Sequence, residues 1–422
     1  MSTTLSLLFS GLTLLGLPAN AAPTQSFKVS PFKVNISDRV PHMLDLIQNT
    51  HLPAADYVAA HMSLNDTLST GISLQTLESL TNQWVNNFNW DEEQATINKL
   101  NHFTVNIEGI DVHFIHEKSG NPNAIPIILL HGWPGSFLEM VPLIDLLTTN
   151  GKTATNTTTF DVVIPSLPGY GFSSSPPKKV WEASDTARVF DKLMNQALGY
   201  ERYAVHGTDW GCDVGYSLYE QFNTTVRALH LNFLPFAPRT PEEIAAMNFT
   251  LLPGEKVTEQ RAADWEQSGN AYFSEQVTKP NTIGLALYDN PVGQLAWIGE
   301  KYIVWSDPRQ GTGPSVLTHH EILREVSLYY LTDTFISAAY IYNQNPSGFR
   351  QSDYTNVKAP NDAPFLYTTF KYNIGFWPKE DVAAVGNLVS YKFRDFGGHF
   401  PGLDNPAGLA EDLKDIGKYW VN

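Results

Sequence analysis

An aspartate occupies the apex of a glycine-flanked turn in the segment His206-Gly207-Thr208-Asp209-Trp210-Gly211. Glycines on both sides let neighbouring backbone approach closely, so that a nucleophile can sit on a sharp strand-to-helix bend. A serine at the apex attacks carbonyl carbon, whereas a carboxylate is a good nucleophile toward an sp3 carbon that bears a leaving group. Asp209 therefore predicts chemistry through an alkyl ester on the protein. Gly and Asp also favour ordinary surface turns, so the neighbouring elements decide between the two interpretations.

The sequence on either side supplies the elements that such a turn needs. Residues 203–206 are typical of a short buried strand, and residues 212–218 of the start of a helix. A second motif, His131-Gly132-Trp133-Pro134-Gly135-Ser136-Phe137, directly follows the apolar run 125–130. A loop at this position can offer a backbone N–H to an oxyanion that forms on the nucleophile. The two motifs together favour a catalytic turn over a surface turn.

Strands and helices alternate through most of the chain. Apolar, β-branched runs predict strands at residues 103–107, 111–115, 125–130, 160–165, 203–206, 226–234, 372–377 and 387–393. Helical apolar spacing predicts helices at residues 40–52, 74–88, 184–198, 255–272, 290–305, 319–342 and 409–420. This alternation predicts an α/β fold with a mostly parallel sheet, whose site lies at the carboxyl ends of the strands.

Changes of pattern divide the chain into five predicted parts. The parts are a signal peptide at residues 1–21, a helical N-terminal region at 22–102, a first core segment at 103–235, an aromatic helical lid at 236–350 and a second core segment at 351–422. The lid interrupts the strand series, so we expect it to be inserted into the core. No internal repeat or low-complexity tract is evident.

Composition narrows the possible partners. The chain has 422 residues, 42% of them hydrophobic and 17% charged, with a net charge of −16. An acidic balance of this size argues against nucleic acids and anionic membrane surfaces as partners. The single cysteine, Cys212, allows no intrachain disulfide and is expected to be a small buried thiol. No cysteine pair or histidine cluster indicates a metal site, and we expect no cofactor.

The N-terminus resembles a secretory signal. Residues 5–17 form an apolar stretch of the length of a signal-peptide core, and small residues follow with a predicted cleavage site near Ala21. No Lys or Arg precedes the apolar stretch, so an uncleaved anchor stays an alternative, although the stretch is short for a membrane span. Five N-x-Ser/Thr sequons are consistent with a secreted glycoprotein: Asn35, Asn65, Asn156, Asn223 and Asn248.

With these landmarks in place, the chain resembles the microsomal-type epoxide hydrolases, including their secreted or soluble fungal relatives, over nearly its full mature length. The resemblance rests on six segments: the His131 motif, residues 166–173, the Asp209 turn, residues 278–280 with 295–301, Trp377-Pro378-Lys379-Glu380, and Gly397-Gly398-His399-Phe400. It implies an α/β-hydrolase fold with a helical lid and an N-terminal helical meander.

The resemblance also implies roles in opening an epoxide ring. Asp209 matches the nucleophile that gives a hydroxyalkyl ester. Two lid tyrosines match Tyr272 and Tyr342, and a phenol that is neutral at pH 7 can donate a proton to the departing oxygen. Tyr340 is the near neighbour that could be confused with Tyr342.

Ester hydrolysis needs a base that activates water. The resemblance places this base at His399, after two glycines and the last strand. It places the orienting carboxylate at Glu380, although the segment that follows Glu380 is several residues shorter than in relatives, so Asp381 and Asp395 stay rivals. The backbone amides of Trp133 and Trp210 are the expected oxyanion donors.

The predicted product is a vicinal diol, formed from water and a small lipophilic epoxide without a cofactor. The family suggests a homodimer, and roles in detoxification or in biosynthesis both stay open. Two alternatives are kept. One is a haloalkane dehalogenase, which shares the aspartate and the base; the other is a catalytically silent protein of this fold that binds an apolar ligand.

Overall fold

The computed structural model describes residues 27–55, 71–149, 158–178, 180–348, 350, 354 and 357–420. Within these residues nine strands form one sheet in the order β1-β2-β3-β5-β4-β6-β7-β8-β9. The strands are β1 Ser30–Pro31, β2 His102–Ile107, β3 Ile110–Glu117, β4 Ile125–Leu130, β5 Phe160–Pro165, β6 Tyr203–Gly207, β7 Val226–Leu231, β8 Phe365–Tyr372 and β9 Leu388–Gly398.

The sheet is antiparallel at one side and parallel through its centre. Strands β1, β2, β3 and β5 pair antiparallel in turn, whereas β5, β4, β6, β7, β8 and β9 pair parallel. Strand β6 is buried along its whole length, as expected for a strand covered by helices on both faces. The predicted mostly parallel α/β fold is confirmed.

Helices cover the sheet in three groups. Those before β2 are Val40–Asn49, Leu74–Asn86 and Trp90–Ile97. Those that flank the sheet are Ile144–Thr148, Ala183–Asp191, Trp210–Gln221, Lys379–Val385, Pro401–Asp404 and Pro406–Lys414. Those between β7 and β8 are Pro241–Ala246, Pro253–Asp264, Ala271–Thr278, Pro280–Leu287, Pro291–Trp305, His319–Leu331 and Phe335–Gln344. The last group stands where the sequence predicts a lid.

The N-terminal helices pack on the lid. The indole of Trp84 donates a 2.9 Å hydrogen bond to the Ser327 hydroxyl, and both side chains are buried. The Arg39 guanidinium donates to the Leu331 carbonyl at 2.8 Å, where the helix His319–Leu331 ends. These contacts hold the lid from the side opposite the sheet.

Two predicted elements differ from the structure. The strand predicted at residues 372–377 is wrong, because β8 covers Phe365–Tyr372 and the chain turns directly after it. The aromatic, β-branched run 365–370 makes the strand, whereas Gly375 and Pro378 disfavour one. The single helix predicted at 319–342 is two helices, separated at Asp333, whose φ is 57°.

Several predictions fall outside the described residues. The signal peptide at 1–21 and the sequons Asn65 and Asn156 lie there, so secretion stays a prediction, as do the homodimer and the bounds of the five parts. Three other sequons, Asn35, Asn223 and Asn248, are exposed. Cys212 is buried, as predicted. Among the helices of the described residues, none has the length and apolar character to cross a membrane.

Candidate active site

Asp209 sits at the junction between β6 and the helix Trp210–Gln221. Its φ of 47° and ψ of −130° are a strained combination for a residue with a side chain, and strain of this kind concentrates at functional sites. The glycines on either side are sterically required. A Cβ on Gly207 would lie 2.3 Å from the Gly211 carbonyl oxygen, and one on Gly211 would lie 2.2 Å from the Leu130 carbonyl oxygen. The turn is therefore a built nucleophile elbow.

The Asp209 carboxylate has a different partner on each oxygen. Its Oδ1 accepts a 2.7 Å hydrogen bond from the Trp133 backbone N–H. Its Oδ2 lies 3.1 Å from Nε2 of His399. The Asp209 side chain is 14% exposed and that of His399 is fully covered. The carboxylate is thus reachable from the pocket while the histidine lies behind it.

The loop that carries Trp133 is fixed by buried hydrogen bonds. Two lid hydroxyls hold its carbonyls: Tyr302 donates to Pro134 at 3.3 Å and Tyr329 donates to Gly135 at 2.8 Å. His131 accepts from the Leu167 N–H through Nε2 at 3.1 Å, and burial lowers the pKa of His131 to about 4. His131 is therefore a neutral support of the loop at pH 7.

Close packing leaves no room at Gly132. A Cβ there would lie 2.1 Å from Oδ1 of Asp209, so this oxygen fits into a space that only glycine leaves. Trp210, the second predicted donor, is the first residue of the helix after Asp209. Its N–H is one of the helix N-terminal donors that have no partner within the helix. Both predicted oxyanion donors thus lie beside Asp209.

Asn373, directly after β8, is the partner of the other His399 nitrogen. The Oδ1 of Asn373 lies 2.9 Å from Nδ1 of His399. The rings of Phe233 and Trp305 meet the imidazole edge-on, at centroid distances of 5.4 Å and 5.1 Å. The imidazole is therefore held by aromatic packing and by a polar contact at each nitrogen.

The predicted carboxylate partners of His399 lie elsewhere. Glu380 is exposed in the first turn of the helix Lys379–Val385. Asp381 pairs with Arg239 at 3.0 Å, and the exposed Asp395 pairs with Lys371 at 2.7 Å. The prediction that Glu380 contacts His399 is therefore corrected. Its physical reason is that β8 ends at Tyr372, which puts Asn373 at the sheet edge and carries Glu380 beyond it.

Tyr272 and Tyr342 come together from two lid helices, Ala271–Thr278 and Phe335–Gln344. They are 5% and 1% exposed, and their ring centroids are 5.8 Å apart. Burial is the main cause that raises the pKa of both phenols well above the ordinary value, and the charge of Asp209 acts in the same direction. Both phenols are therefore protonated at neutral pH.

Aromatic neighbours fix the two tyrosines. The ring of Tyr272 stacks on that of Trp133 at a centroid distance of 5.0 Å, and that of Tyr342 meets Trp210 edge-on at 5.0 Å. Tyr340, the possible confusion in the sequence, is half-buried and is not among the residues that line the pocket. The structure thus separates the two candidates.

A pocket with about 430 Å³ of empty space, its open mouth included, connects these groups. Asp209, Tyr272 and Tyr342 all line it. The remaining wall is mostly apolar and is formed by Trp210, Asp213, Phe233, Pro235, Trp265, Phe273, Gly348 and Ile374. The site can therefore hold an apolar molecule with one polar group between a carboxylate and two phenols.

Asn373 and most wall residues were not predicted. Phe233, Trp265 and Phe273 carried no signal, because single aromatic residues in the sequence are more often core than wall. Asn373 could have been recognised from the sequence only if the end of the strand before it had been predicted correctly. A residue that follows a parallel strand at the sheet edge is a site candidate, but the predicted strand ran through it.

Buried acids lie behind the Trp133 loop and give the site a pH-dependent stability. Burial raises the pKa of Glu325 to about 7, against the opposing effect of the Arg324 charge. The same cause raises the pKa of Glu139, and that of Asp404 to about 8. A buried acid with a raised pKa holds its proton in the folded state over a range in which the unfolded chain loses it.

We expect Glu325→Gln to weaken the pH dependence of stability. Between the ordinary pKa of 4.5 and the folded value of about 7, the folded protein binds the Glu325 proton more tightly, so the free energy of unfolding falls as pH rises. Removing this group should reduce the fall by at most roughly 3 kcal/mol. Urea unfolding from pH 4.5 to 8 measures it. The exposed Glu266→Gln is the control, and equal slopes for wild type and Glu325→Gln would contradict the expectation.

Comparison with known proteins finds epoxide hydrolases among the relatives of this chain. A family model described as epoxide hydrolase N terminus matches residues 29–140, and one described as alpha/beta hydrolase fold matches residues 125–251. A putative epoxide hydrolase of Stigmatella aurantiaca is 36% identical over 352 residues, which cover 82% of this chain and 76% of that protein. Juvenile hormone epoxide hydrolase 2 of Ctenocephalides felis is 32% identical, with coverage of 93% and 86%.

A solved structure agrees in fold. The structure of Aspergillus niger epoxide hydrolase matches with a TM-score of 0.80 and 33% sequence identity, over 94% of this chain and 98% of that chain. The match therefore extends through the N-terminal helices, the sheet and the lid.

Proposed function

The chain belongs to the epoxide hydrolase family, and from this premise we propose that it opens its substrate through a covalent hydroxyalkyl ester on Asp209. The observation that carries the proposal is the arrangement of the Asp209 carboxylate. One oxygen accepts from the Trp133 N–H, the other faces His399, and the pocket in front is lined by Tyr272 and Tyr342.

The first step is ring opening. Oδ2 of Asp209 attacks one epoxide carbon, a carbon–oxygen bond of the ring breaks, and the departing oxygen takes a proton from Tyr272 or Tyr342. Because both phenols are protonated at neutral pH, either can donate its proton directly to the departing oxygen. Oδ1 stays the carbonyl oxygen of the new ester, in contact with the Trp133 N–H.

The second step is ester hydrolysis. His399 accepts a proton from water through Nε2, and the hydroxide attacks Cγ of Asp209. Negative charge then develops on Oδ1, where the backbone N–H groups of Trp133 and Trp210 are positioned to stabilise it. Collapse of the tetrahedral intermediate releases the diol, whose alkoxide takes the proton that His399 received from water. The proton left on the new Asp209 carboxyl group passes to the phenolate formed in ring opening, so both the carboxylate and the phenol are restored.

The substrate class follows from the pocket wall. Phe233, Trp265, Phe273 and Ile374 offer apolar surface, which favours an alkyl or aryl substituent on the epoxide. Diol formation from a panel of aryl and alkyl epoxides tests the proposal, with matched chloroalkanes in parallel. Release of chloride without formation of diol would favour the dehalogenase alternative instead.

We expect Tyr272→Phe and Tyr342→Phe to slow ring opening without slowing ester hydrolysis. Each variant keeps the ring contacts with Trp133 or Trp210 and removes only the hydroxyl. Because either phenol can serve as acid, each single change should lower the rate of ester formation about tenfold and the double change about 10³-fold. Rapid-quench measurement of ester formation gives these rates. Tyr340→Phe is the matched control, and an unchanged rate in the double variant would refute the assignment.

A further inference from the structure

We propose that Asn373, an amide in place of a carboxylate, positions His399 for the hydrolytic step and makes that step the slow one. The inference rests on the proposed covalent cycle and names a residue that acts through His399, without contact to the substrate. It starts from the 2.9 Å contact between Oδ1 of Asn373 and Nδ1 of His399.

Two hydrogen bonds to groups other than His399 fix the orientation of the Asn373 amide. Its Oδ1 also accepts the Ile374 backbone N–H at 2.8 Å, and its Nδ2 donates to the Asn232 carbonyl at 2.9 Å. A rotated amide would lose both bonds and place N–H against N–H. The side chain is 1% exposed, so water could not replace the lost partners and the rotated amide would be destabilised.

This orientation fixes the tautomer of His399. Because Oδ1 only accepts, Nδ1 of His399 must carry a hydrogen, which leaves Nε2 as the nitrogen that accepts a proton from water. When asparagine replaces the orienting aspartate of a serine protease, the wrong tautomer forms and kcat falls about 10⁴-fold. The bonds to Ile374 and Asn232 prevent that outcome here, so a functional base is retained.

The amide cannot supply the charge that a carboxylate supplies. When His399 takes the proton from water it becomes cationic, and an ionised acceptor at Nδ1 stabilises that cation more strongly than a neutral one. The ends of the next two strands beyond β6 in the sheet offer no such group, because β7 is followed by Asn232 and β8 by Asn373. We therefore expect ester hydrolysis to be slower than ester formation.

The nearest buried acids serve the backbone of the loop. Oδ2 of Asp404 accepts the Gly398 N–H at 2.9 Å, and Oδ2 of Asp307 accepts the Gly397 N–H at 2.9 Å. These carboxyl groups place the loop that carries His399 and leave its Nδ1 to Asn373. The orientation of the ring itself therefore depends on the amide.

The test compares variants at two positions in single-turnover experiments. Asn373→Leu keeps the number and branching of the side-chain heavy atoms and removes the acceptor, so it should slow ester decay about 100-fold while ester formation keeps its rate. Glu380→Gln, at the exposed position that the sequence favoured, should change neither rate. Asn373→Asp adds the missing charge and should speed ester decay roughly tenfold, with the pH profile of ester decay changed as well.

Intact-protein mass spectrometry after rapid quench follows the ester in each variant. During turnover the wild type should carry the ester on most molecules. Asn373→Asp loses the bond to the Asn232 carbonyl and Asn373→Leu loses all three polar contacts of the side chain, so thermal unfolding of both variants is measured in parallel. The inference requires slower ester decay at an unchanged rate of ester formation, and an equal slowing of both steps in Asn373→Leu would contradict it.

Each outcome has a distinct meaning. Slow ester decay in Glu380→Gln together with normal decay in Asn373→Leu would overturn the inference and return the role to the carboxylate. Diol formation without any ester on Asp209, in the wild type and in His399→Gln alike, would overturn the proposed function and this inference with it.

Discussion

Asp209→Asn is expected to abolish diol formation, with a loss of at least about 10⁴-fold in kcat. The amide is nearly isosteric with the carboxylate and tolerates the positive φ of 47°, so the elbow should keep its shape. An amide oxygen is a far weaker nucleophile, and no other carboxylate accepts the Trp133 N–H. The measurement is diol released from an aryl epoxide by purified wild type and variant.

The control for this experiment is Asp395→Asn, the same chemical change at an exposed position paired with Lys371. It should keep wild-type turnover. Thermal unfolding of Asp209→Asn should stay close to that of the wild type, which separates loss of the nucleophile from loss of the fold. Undiminished diol formation by Asp209→Asn would mean that water attacks the epoxide directly and that no ester forms.

The parts of the site that the sequence revealed are local. The elbow around Asp209 and the loop around Trp133 each lie within six or seven consecutive residues. Their glycines are required where the two motifs meet, because Gly132 faces Asp209 and Gly211 faces Leu130. For the same reason β4, β6 and the helix after Asp209 were predicted close to their observed bounds. Steric requirements that only glycine meets can be recognised in a single sequence.

The parts that the sequence missed depend on distant register. Tyr272 and Tyr342 became candidates only through family resemblance, because nothing near them distinguishes one lid tyrosine from another. The partner of His399 depends on where β8 ends. The family resemblance favoured Glu380, and the strand predicted at 372–377 began seven residues too late and ran through Asn373. Strand ends are set by pairing with β7 and β9, which no local pattern encodes.

The sequence nevertheless contained a warning about Glu380. The segment between Glu380 and His399 is short, and the structure shows its consequence: the helix Lys379–Val385 leads almost directly into β9 at Leu388. The helix begins with two exposed residues, Lys379 and Glu380, and Nδ1 of His399 meets Asn373 instead.

His399→Gln is expected to separate the two steps of the cycle. Ring opening needs the Asp209 carboxylate and the two phenols, so the variant should still form the ester in one turnover, whereas hydrolysis loses its base and should fall at least about 10³-fold. Intact mass should rise by the mass of one epoxide per protein molecule. Peptide mapping should place that addition on the peptide that contains Asp209.

The identity of the trapped species makes this the most informative variant of the series. A stable adduct on Asp209 in His399→Gln, and none in Asp209→Asn, can arise only if the carboxylate attacks carbon and the histidine acts afterwards. If His399→Gln instead forms diol at the wild-type rate, the 3.1 Å contact between Nε2 and Asp209 is structural, and another group must activate water. If it forms neither ester nor diol while remaining folded, then His399 is needed to keep the Asp209 carboxylate in its attacking position, and the order of events must be revised.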